Sequence, residues 1–148
     1  MKIRKIIPHD REKLFAMMRE FYDSPALLET VPDEILHRDI DDCLGELPFV
    51  EGFVFEKEGE IIGYGMIAKS YSTEFGCVCI WVEDLYLLPF YRGQGLGGKF
   101  FGFVEDLYQN QPVRFRLEVE PNNLNAIKAY RKNGYRQLGY VQMAKEKK

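Results

Sequence analysis

The sequence predicts an α/β protein (α+β in some schemes), with a mixed central sheet of six to seven strands flanked by four helices. Three observations carry that expectation. The hydrophobic period is helical between residues 10 and 44, turns to strand alternation from Phe49 to Leu88, and then switches between the two. Proline or glycine marks most of the changes, at Pro8, Pro25, Pro32, Gly59, Pro89 and Gly134. The 148 residues, 46% hydrophobic and 14% aromatic, suffice for one core and no more, so residues 1–148 are read as a single domain.

Residues 2–7 alternate Ile3 with Arg4-Lys5 and then Ile6-Ile7, a short strand closed by Pro8. Asp10 is placed to cap a helix carrying Leu14, Phe15, Met17, Met18, Phe21 and Tyr22 at helical spacing, which Ser24-Pro25 breaks. Pro32-Asp33-Glu34 opens a second helix, with proline in the first turn and acids at the positive end of the dipole. Leu36, Ile40, Cys43 and Leu44 form its apolar stripe. Phe49–Lys57, the turn Glu58-Gly59-Glu60 and Ile61–Lys69 read as a hairpin. Cys77–Leu88 is a long strand stopped by Pro89. A glycine-rich turn leads into a helix from Leu96 to Tyr108, and the strand Val113–Val119 follows. The last helix runs from Asn123 to Asn133 and ends at Gly134, well suited to the left-handed residue after a helix. Tyr135–Ala144 closes the chain as one or two strands, and the charged tail Lys145–Lys148 is expected to fray.

Composition removes several function classes. Twenty basic and 23 acidic residues give a net charge of −3, which takes away the electrostatic drive of phosphate-backbone binding, so no nucleic-acid partner is expected. No stretch reaches the roughly 18–20 apolar residues of a membrane helix. The N-terminal Met1–Pro8 carries charge but no apolar signal core, so no membrane partner is expected either. Cys43, Cys77 and Cys79 cannot all pair within one chain, and with only His9 and His37 beside them they fit no zinc pattern. No metal is expected, and a reduced, cytoplasmic protein is the plain reading. Cys77 and Cys79 lie two apart on a strand and read as small packed apolar groups.

The most informative segment is Arg92-Gly93-Gln94-Gly95-Leu96-Gly97-Gly98-Lys99, where a strand ends and a helix begins. Free backbone amides and the helix dipole make an anion site there, and glycines let the main chain approach a phosphate. Four glycines within six residues exceed what a tight turn needs. Read as Gly93-x-Gly95-x-x-Gly98, the loop matches the dinucleotide fingerprint with Glu118 at the ribose distance, but only 50 residues remain for the further βα units. Read as Gly93-x-x-x-x-Gly98-Lys99, it approaches a P-loop, but Phe100 replaces the hydroxyl that binds Mg²⁺. Arg92-x-x-Gly95-x-Gly97 lacks nothing that it requires.

Here the chain resembles a known family. Glu83-Asp84-Leu85-Tyr86-Leu87-Leu88-Pro89-Phe90-Tyr91-Arg92-Gly93-Gln94-Gly95-Leu96-Gly97 is similar to the acetyl-CoA-binding region of the GNAT family, the Gcn5-related N-acetyltransferases. Asn125-Ala126-Ile127-Lys128-Ala129-Tyr130-Arg131-Lys132-Asn133-Gly134-Tyr135 resembles that family's second signature. The order of elements is also the family's. The resemblance implies the GNAT fold, its sheet splayed between the strands at about 77–88 and 113–119 by a bulge that the spacing itself does not reveal.

The resemblance also implies the cosubstrate, acetyl-CoA. Its diphosphate would lie on Arg92, Gly93, Gln94, Gly95, Leu96, Gly97 and Gly98, and its pantetheine arm on main-chain groups of Leu85, Tyr86 and Leu87. Asn125 and Lys132 are further cofactor candidates, with Lys99 beside them. The Tyr130 hydroxyl is implied to face the sulfur as general acid.

Amine acetylation needs a neutral nucleophile. An alkyl ammonium titrates ~3 units above neutral pH, so its deprotonation costs roughly 4 kcal/mol. A carboxylate at the amine's binding point can take that proton, best if burial raises its own pKa. Glu83 and Glu118, on the two central strands, are the candidates. Glu83-Asp84 resembles the placement in the spermidine/spermine (diamine) acetyltransferase branch. Leu117-Glu118-Val119 resembles that in bacterial N-terminal acetyltransferases of ribosomal proteins.

The segment Phe21 to Asp42 carries Asp23, Glu29, Asp33, Glu34, Asp39, Asp41 and Asp42, with Tyr22, Tyr64 and Tyr71 as candidates to line an alkyl chain. These acids suit a cationic, small polyamine- or diamine-like acceptor, and Glu83, Asp84, Tyr22 and Glu34 are the substrate-binding candidates. A protein lysine, a peptide N-terminus, an aminoglycoside, or a non-catalytic acyl-CoA sensor remain the alternatives. A homodimer would match the family's habit.

Overall fold

In a computed structural model describing residues 1–147, five strands form one sheet in the order β1-β2-β3-β4-β5. They are β1 (Lys2–Lys5), β2 (Val50–Lys57), β3 (Glu60–Ser72), β4 (Cys77–Leu87) and β5 (Val113–Leu117). The first four run antiparallel, and β5 lies parallel to β4. A parallel neighbour requires a crossover, and α3 (Leu96–Leu107) supplies it. The other helices are α1 (Arg11–Tyr22), α2 (Asp33–Leu44) and α4 (Leu124–Lys132).

Strand alternation divides the core into two layers, one on each face of the sheet. Leu14, Met17, Met18, Leu36 and Ile40 of α1 and α2 pack with Val54, Tyr64, Met66 and Tyr86. Phe53, Phe55, Ile67, Ile80 and Val82 pack on the opposite face with Leu96, Phe100, Phe101 and Val104 of α3. The sheet is therefore covered on both sides, as a strand pair with a helical crossover needs.

One irregularity decides the site. Ile67 pairs with Val82 and Met66 with Asp84, so Glu83 is an extra residue, a β-bulge. It changes which face successive side chains meet. Before it, Ile80 and Val82 pack on the α3 side; after it, Leu85 and Leu87 do. Tyr86 is thereby turned into the layer under α1 and α2, and Asp84 meets Tyr22 and Tyr64 on that side. The β4–β5 ladder ends at Val82–Leu117. Beyond that pair and the unpaired Glu83, β4 runs from Asp84 to Leu87 paired, among the described residues, with β3 alone. This is the splay that the family resemblance implies.

Two expectations are corrected. Tyr135–Ala144 forms no strand among the described residues, so the sheet has five strands rather than six or seven. Tyr135 packs against Phe101, but the later apolar residues find no layer to enter: Val141 and Met143 are 87% and 93% exposed, and alternation without burial does not hold a strand. Asp10 does not cap α1 with its side chain. Its carboxylate instead accepts from both terminal nitrogens of Arg4, at 2.8 and 2.9 Å, and from the Ile7 amide at 2.9 Å. Lys148, the last residue of the tail expected to fray, lies outside the described residues.

Candidate active site

The segment after β4 builds a cradle of backbone. A single 3₁₀ turn (Pro89–Tyr91) leads to Gly93 and Gly95, both at φ 75° in the left-handed region, and Gly95 is the residue preceding α3. A Cβ on either glycine would meet nothing within 4 Å, so backbone conformation rather than crowding requires glycine there. The space is open for a ligand to approach the main chain. Gly98, in the first turn of α3, is different: a Cβ would lie 3.0 Å from Asn133 Oδ1. No side chain caps α3, so its first amides remain directed at whatever occupies the cradle. Gln94 ties the loop by donating to the Phe90 carbonyl at 3.1 Å.

The free edge of β4 lies next to this cradle. A cleft of about 250 Å³ opens between Glu20, Phe21 and Ala26 on one side and Leu85, Tyr86, Leu87 and Arg92 on the other. Arg92 Nε donates to the Leu87 carbonyl at 2.8 Å, and its guanidinium stands 5.2 Å from the Tyr86 ring centroid. The Tyr86 hydroxyl donates to the Glu20 carboxylate. Burial, followed by that hydrogen bond, pushes the Tyr86 phenol up to about 12.

At the bulge, acids gather. Asp84 is 2% exposed, and its two oxygens accept from Tyr22 (2.8 Å) and Tyr64 (2.9 Å). Burial raises its pKa to about 6; the tyrosine bonds pull it down, and the negative charges of Asp39 and Glu83 push it up. Burial likewise raises the phenols of Tyr22 and Tyr64. The Glu83 carboxylate reaches solvent at the rim. Desolvation by the protein around it still raises its pKa, and the charges of Glu118 and Asp39 add to the effect. Glu118 is exposed just past the end of β5. Asp39, half-buried on α2, is raised by its own burial and then by Asp42.

The arrangement brings together Glu83, Asp84, Tyr22, Tyr64, Asp39 and Glu118 on one side, and Leu85–Leu87, Arg92 and the glycine turn on the other. Tyr130 of α4 is half-buried against Phe101 (centroids 5.8 Å apart) and Tyr135 (6.3 Å), and burial alone raises its phenol. Asn125 and Lys132 are exposed in the first and last turns of α4, and Lys99 is exposed at the start of α3. Glu34 is exposed in the first turn of α2, outside the acid group at the bulge. Tyr71 is 64% exposed and pairs with Val78, upstream of the bulge.

Sequence reasoning gave Asp39 no particular place and passed over Glu20. Asp39 had a signal, an acid three residues after Leu36 and four before Cys43, beside the apolar stripe. Glu20 had none, since its partner Tyr86 is 66 positions away.

Comparison with known proteins identifies this architecture. The Acetyltransferase (GNAT) family model matches residues 12–135. Thialysine N-epsilon-acetyltransferase of Mus musculus is 32% identical over 148 aligned positions, covering 93% of this chain and 85% of that protein. The protein of the same name from Sus scrofa is 33% identical, with 92% and 84% covered. Among solved structures, a possible acetyltransferase from Clostridium difficile 630 superposes with a TM-score of 0.84 at 17% identity, covering 98% of this chain and 96% of that one. AAC(6')-Iy in complex with a CoA-containing bisubstrate analogue gives 0.81 at 17% identity, with 99% and 97% covered. At such identities these structures speak for the fold alone.

Acetyl-CoA joins an anionic diphosphate to an extended, amide-bearing arm that ends in a thioester. The residues present suit both parts: a turn whose Gly93 and Gly95 leave their Cβ positions open, and a β4 edge with main-chain groups that no strand pairs among the described residues. On sequence, fold and the fit of this cradle to its acyl donor, the chain belongs to the GNAT acetyltransferase family and is an acetyl-CoA-dependent enzyme that acetylates an amine.

Proposed function

We propose that the acceptor is a small cationic amine, diamine- or polyamine-like, acetylated by direct attack in a ternary complex. One observation carries this reading: the bulge gathers Glu83, Asp84 and Asp39 beside the free edge of β4, with Glu118 close by, so the acceptor end of the site is a field of negative charge. An ammonium ion is drawn to such a field. Support also comes from the similar proteins named thialysine N-epsilon-acetyltransferase, which by that name acetylate an amine nitrogen.

In this reading Leu85, Tyr86 and Leu87 hold the pantetheine arm through their main chain, and Arg92 to Gly98 hold the diphosphate. Asn125 and Lys132 assist from α4. The bound thioester supplies the activated acetyl group. Glu83, its pKa raised toward the working range, accepts the proton of the acceptor's ammonium and offsets part of the roughly 4 kcal/mol of deprotonation. Glu118 acts as an auxiliary carboxylate through its charge on Glu83. Tyr130, protonated across the neutral range, donates to the leaving sulfur. Asp84 and Tyr22 form the floor of the acceptor side, with Glu34 contributing charge from α2. Residues 1–148 act as one domain, expected to unfold in a single cooperative step.

A CoA-release assay with diamines, polyamines, amino acids, lysine peptides and aminoglycosides tests the proposal. Turnover highest with diamines supports it. Turnover confined to peptides or aminoglycosides overturns the acceptor class. Acetyl-CoA binding with no CoA release from any amine would make the chain a sensor.

A further inference from the structure

The Asp84 carboxylate is 2% exposed, yet none of the described ion pairs includes it. A buried carboxylate ordinarily has a cation, because taking an uncompensated charge out of water is costly. Asp84 has instead two neutral donors, the hydroxyls of Tyr22 from α1 and Tyr64 from β3. The charges that act on it, Asp39 from α2 and Glu83 beside it on β4, are both negative. Cys43 of α2 feels Asp84 as well, and Glu118 beyond β5 acts on Glu83. The strongest influences on Asp84 are thus two neutral donors and two like charges. The two tyrosines keep its ionised form within reach, and the surroundings leave it without a counter-ion.

We propose that Asp84 is the buried counter-charge of the acceptor site, its missing cation being the acceptor's ammonium, so that acceptor binding and loss of the Asp84 proton are one coupled event. This rests on the acceptor being cationic. Asp84 is then a specificity-determining residue that acts by its field from beneath Tyr22. A neutral amine analogue gains nothing from it, whereas an ammonium is favoured. By linkage, a cation that binds the ionised form more tightly lowers the carboxyl's pKa, and protonation weakens the cation's binding by the same factor. The proton balance is simple: Asp84 carboxylic acid gives its proton to solvent as the ammonium binds, and takes one back as the acetylated product, now uncharged at that nitrogen, departs.

The test is calorimetry of 1,5-diaminopentane binding to the full-length protein saturated with CoA, near pH 6, in two buffers of different ionisation enthalpy. The diamine is fully protonated there and contributes no proton of its own. Wild type is expected to release about half a proton per diamine bound, with weaker binding at lower pH. Asp84→Asn should lose that release and bind the diamine about tenfold less tightly. Tyr64→Phe keeps the carboxylate but removes a donor that favours its ionised form, so its proton release should peak at higher pH, a shift that general loosening of the fold would not produce. Release in Asp84→Asn equal to wild type, or a Tyr64→Phe maximum at an unchanged pH, overturns the proposal and leaves the acceptor class standing. Failure of the diamine to bind wild type at all overturns the acceptor class together with it.

Discussion

Asp10 and Asp84 are each 2% exposed and lie at opposite ends of α1, Asp10 before its first turn and Asp84 against its last residue, Tyr22. Asp10 is held by both terminal nitrogens of Arg4 and by the Ile7 amide, and the Arg4 hydrogen bonds keep its carboxyl below the usual carboxylate range. Asp84 has two phenols and acid neighbours, and burial lifts it to about 6. The first is a clamp that fastens the entry of α1 to β1, complete within the chain. The second has its geometry but not its charge satisfied, and it lies at the end of the open β4 edge. Burial alone does not separate a structural acid from a functional one; the sign of what surrounds it does.

That contrast can be broken by experiment. Asp10→Ala leaves Arg4 over a vacated pocket and should cost about 3 kcal/mol of stability by denaturant titration, while the folded fraction keeps its turnover. A large loss of turnover per folded molecule would make Asp10 more than a clamp. Glu83→Gln, one residue from Asp84, should reverse the pattern: little change in stability, but a fall in kcat/KM of about 100-fold near neutral pH that narrows at high pH, where free amine is plentiful. A loss that stays flat across pH would remove Glu83 as base. Tyr130→Phe should lower kcat about tenfold and leave the Kd for acetyl-CoA unchanged by calorimetry; unaltered turnover would exclude it from proton donation.

The smallest effect distinguishes the two acids through the pH dependence of melting. Asp10 has a lowered folded pKa, so its stabilisation is present above the unfolded value and is lost as pH falls through the folded one. Asp84 has a raised folded pKa, so the native state holds its proton more tightly. Stability from this group therefore declines as pH rises from about 4 to 6 and levels off above that. Asp84→Asn should flatten this decline by a few degrees in Tm, and an unchanged slope would count against a raised pKa.

Much of this was legible in the sequence because it depends on neighbours along the chain. The start of α2 at Asp33 after Pro32, and Gly134 at φ 89° after α4, follow from local rules. So does the glycine cradle, where two left-handed positions fall on glycines. Glu83-Asp84 stood out as acids within an apolar strand. What was hidden depends on partners distant in sequence. The bulge exists only in register with Met66 and Ile67, and it decides that Asp84 points toward Tyr22 and Tyr64 while Glu83 stays at the rim. Asp10 looked like a cap because Arg4, six residues away, gives no local signal. The alternation after Tyr135 suggested strands, but Tyr140, Val141 and Met143 stay exposed with no layer to receive them.

Unpaired strand edges carry a hazard of their own, since they template addition of strands from other molecules. In this protein the exposed rim of β4 runs only from Glu83 to Leu87 before Pro89 ends any extension of the ladder. Arg92 shields the last carbonyl of that rim with its own hydrogen bond. The opening in the sheet is thus short, and its last carbonyl is already engaged, which leaves a narrow stretch of main chain for an extended ligand rather than a long edge for a further strand.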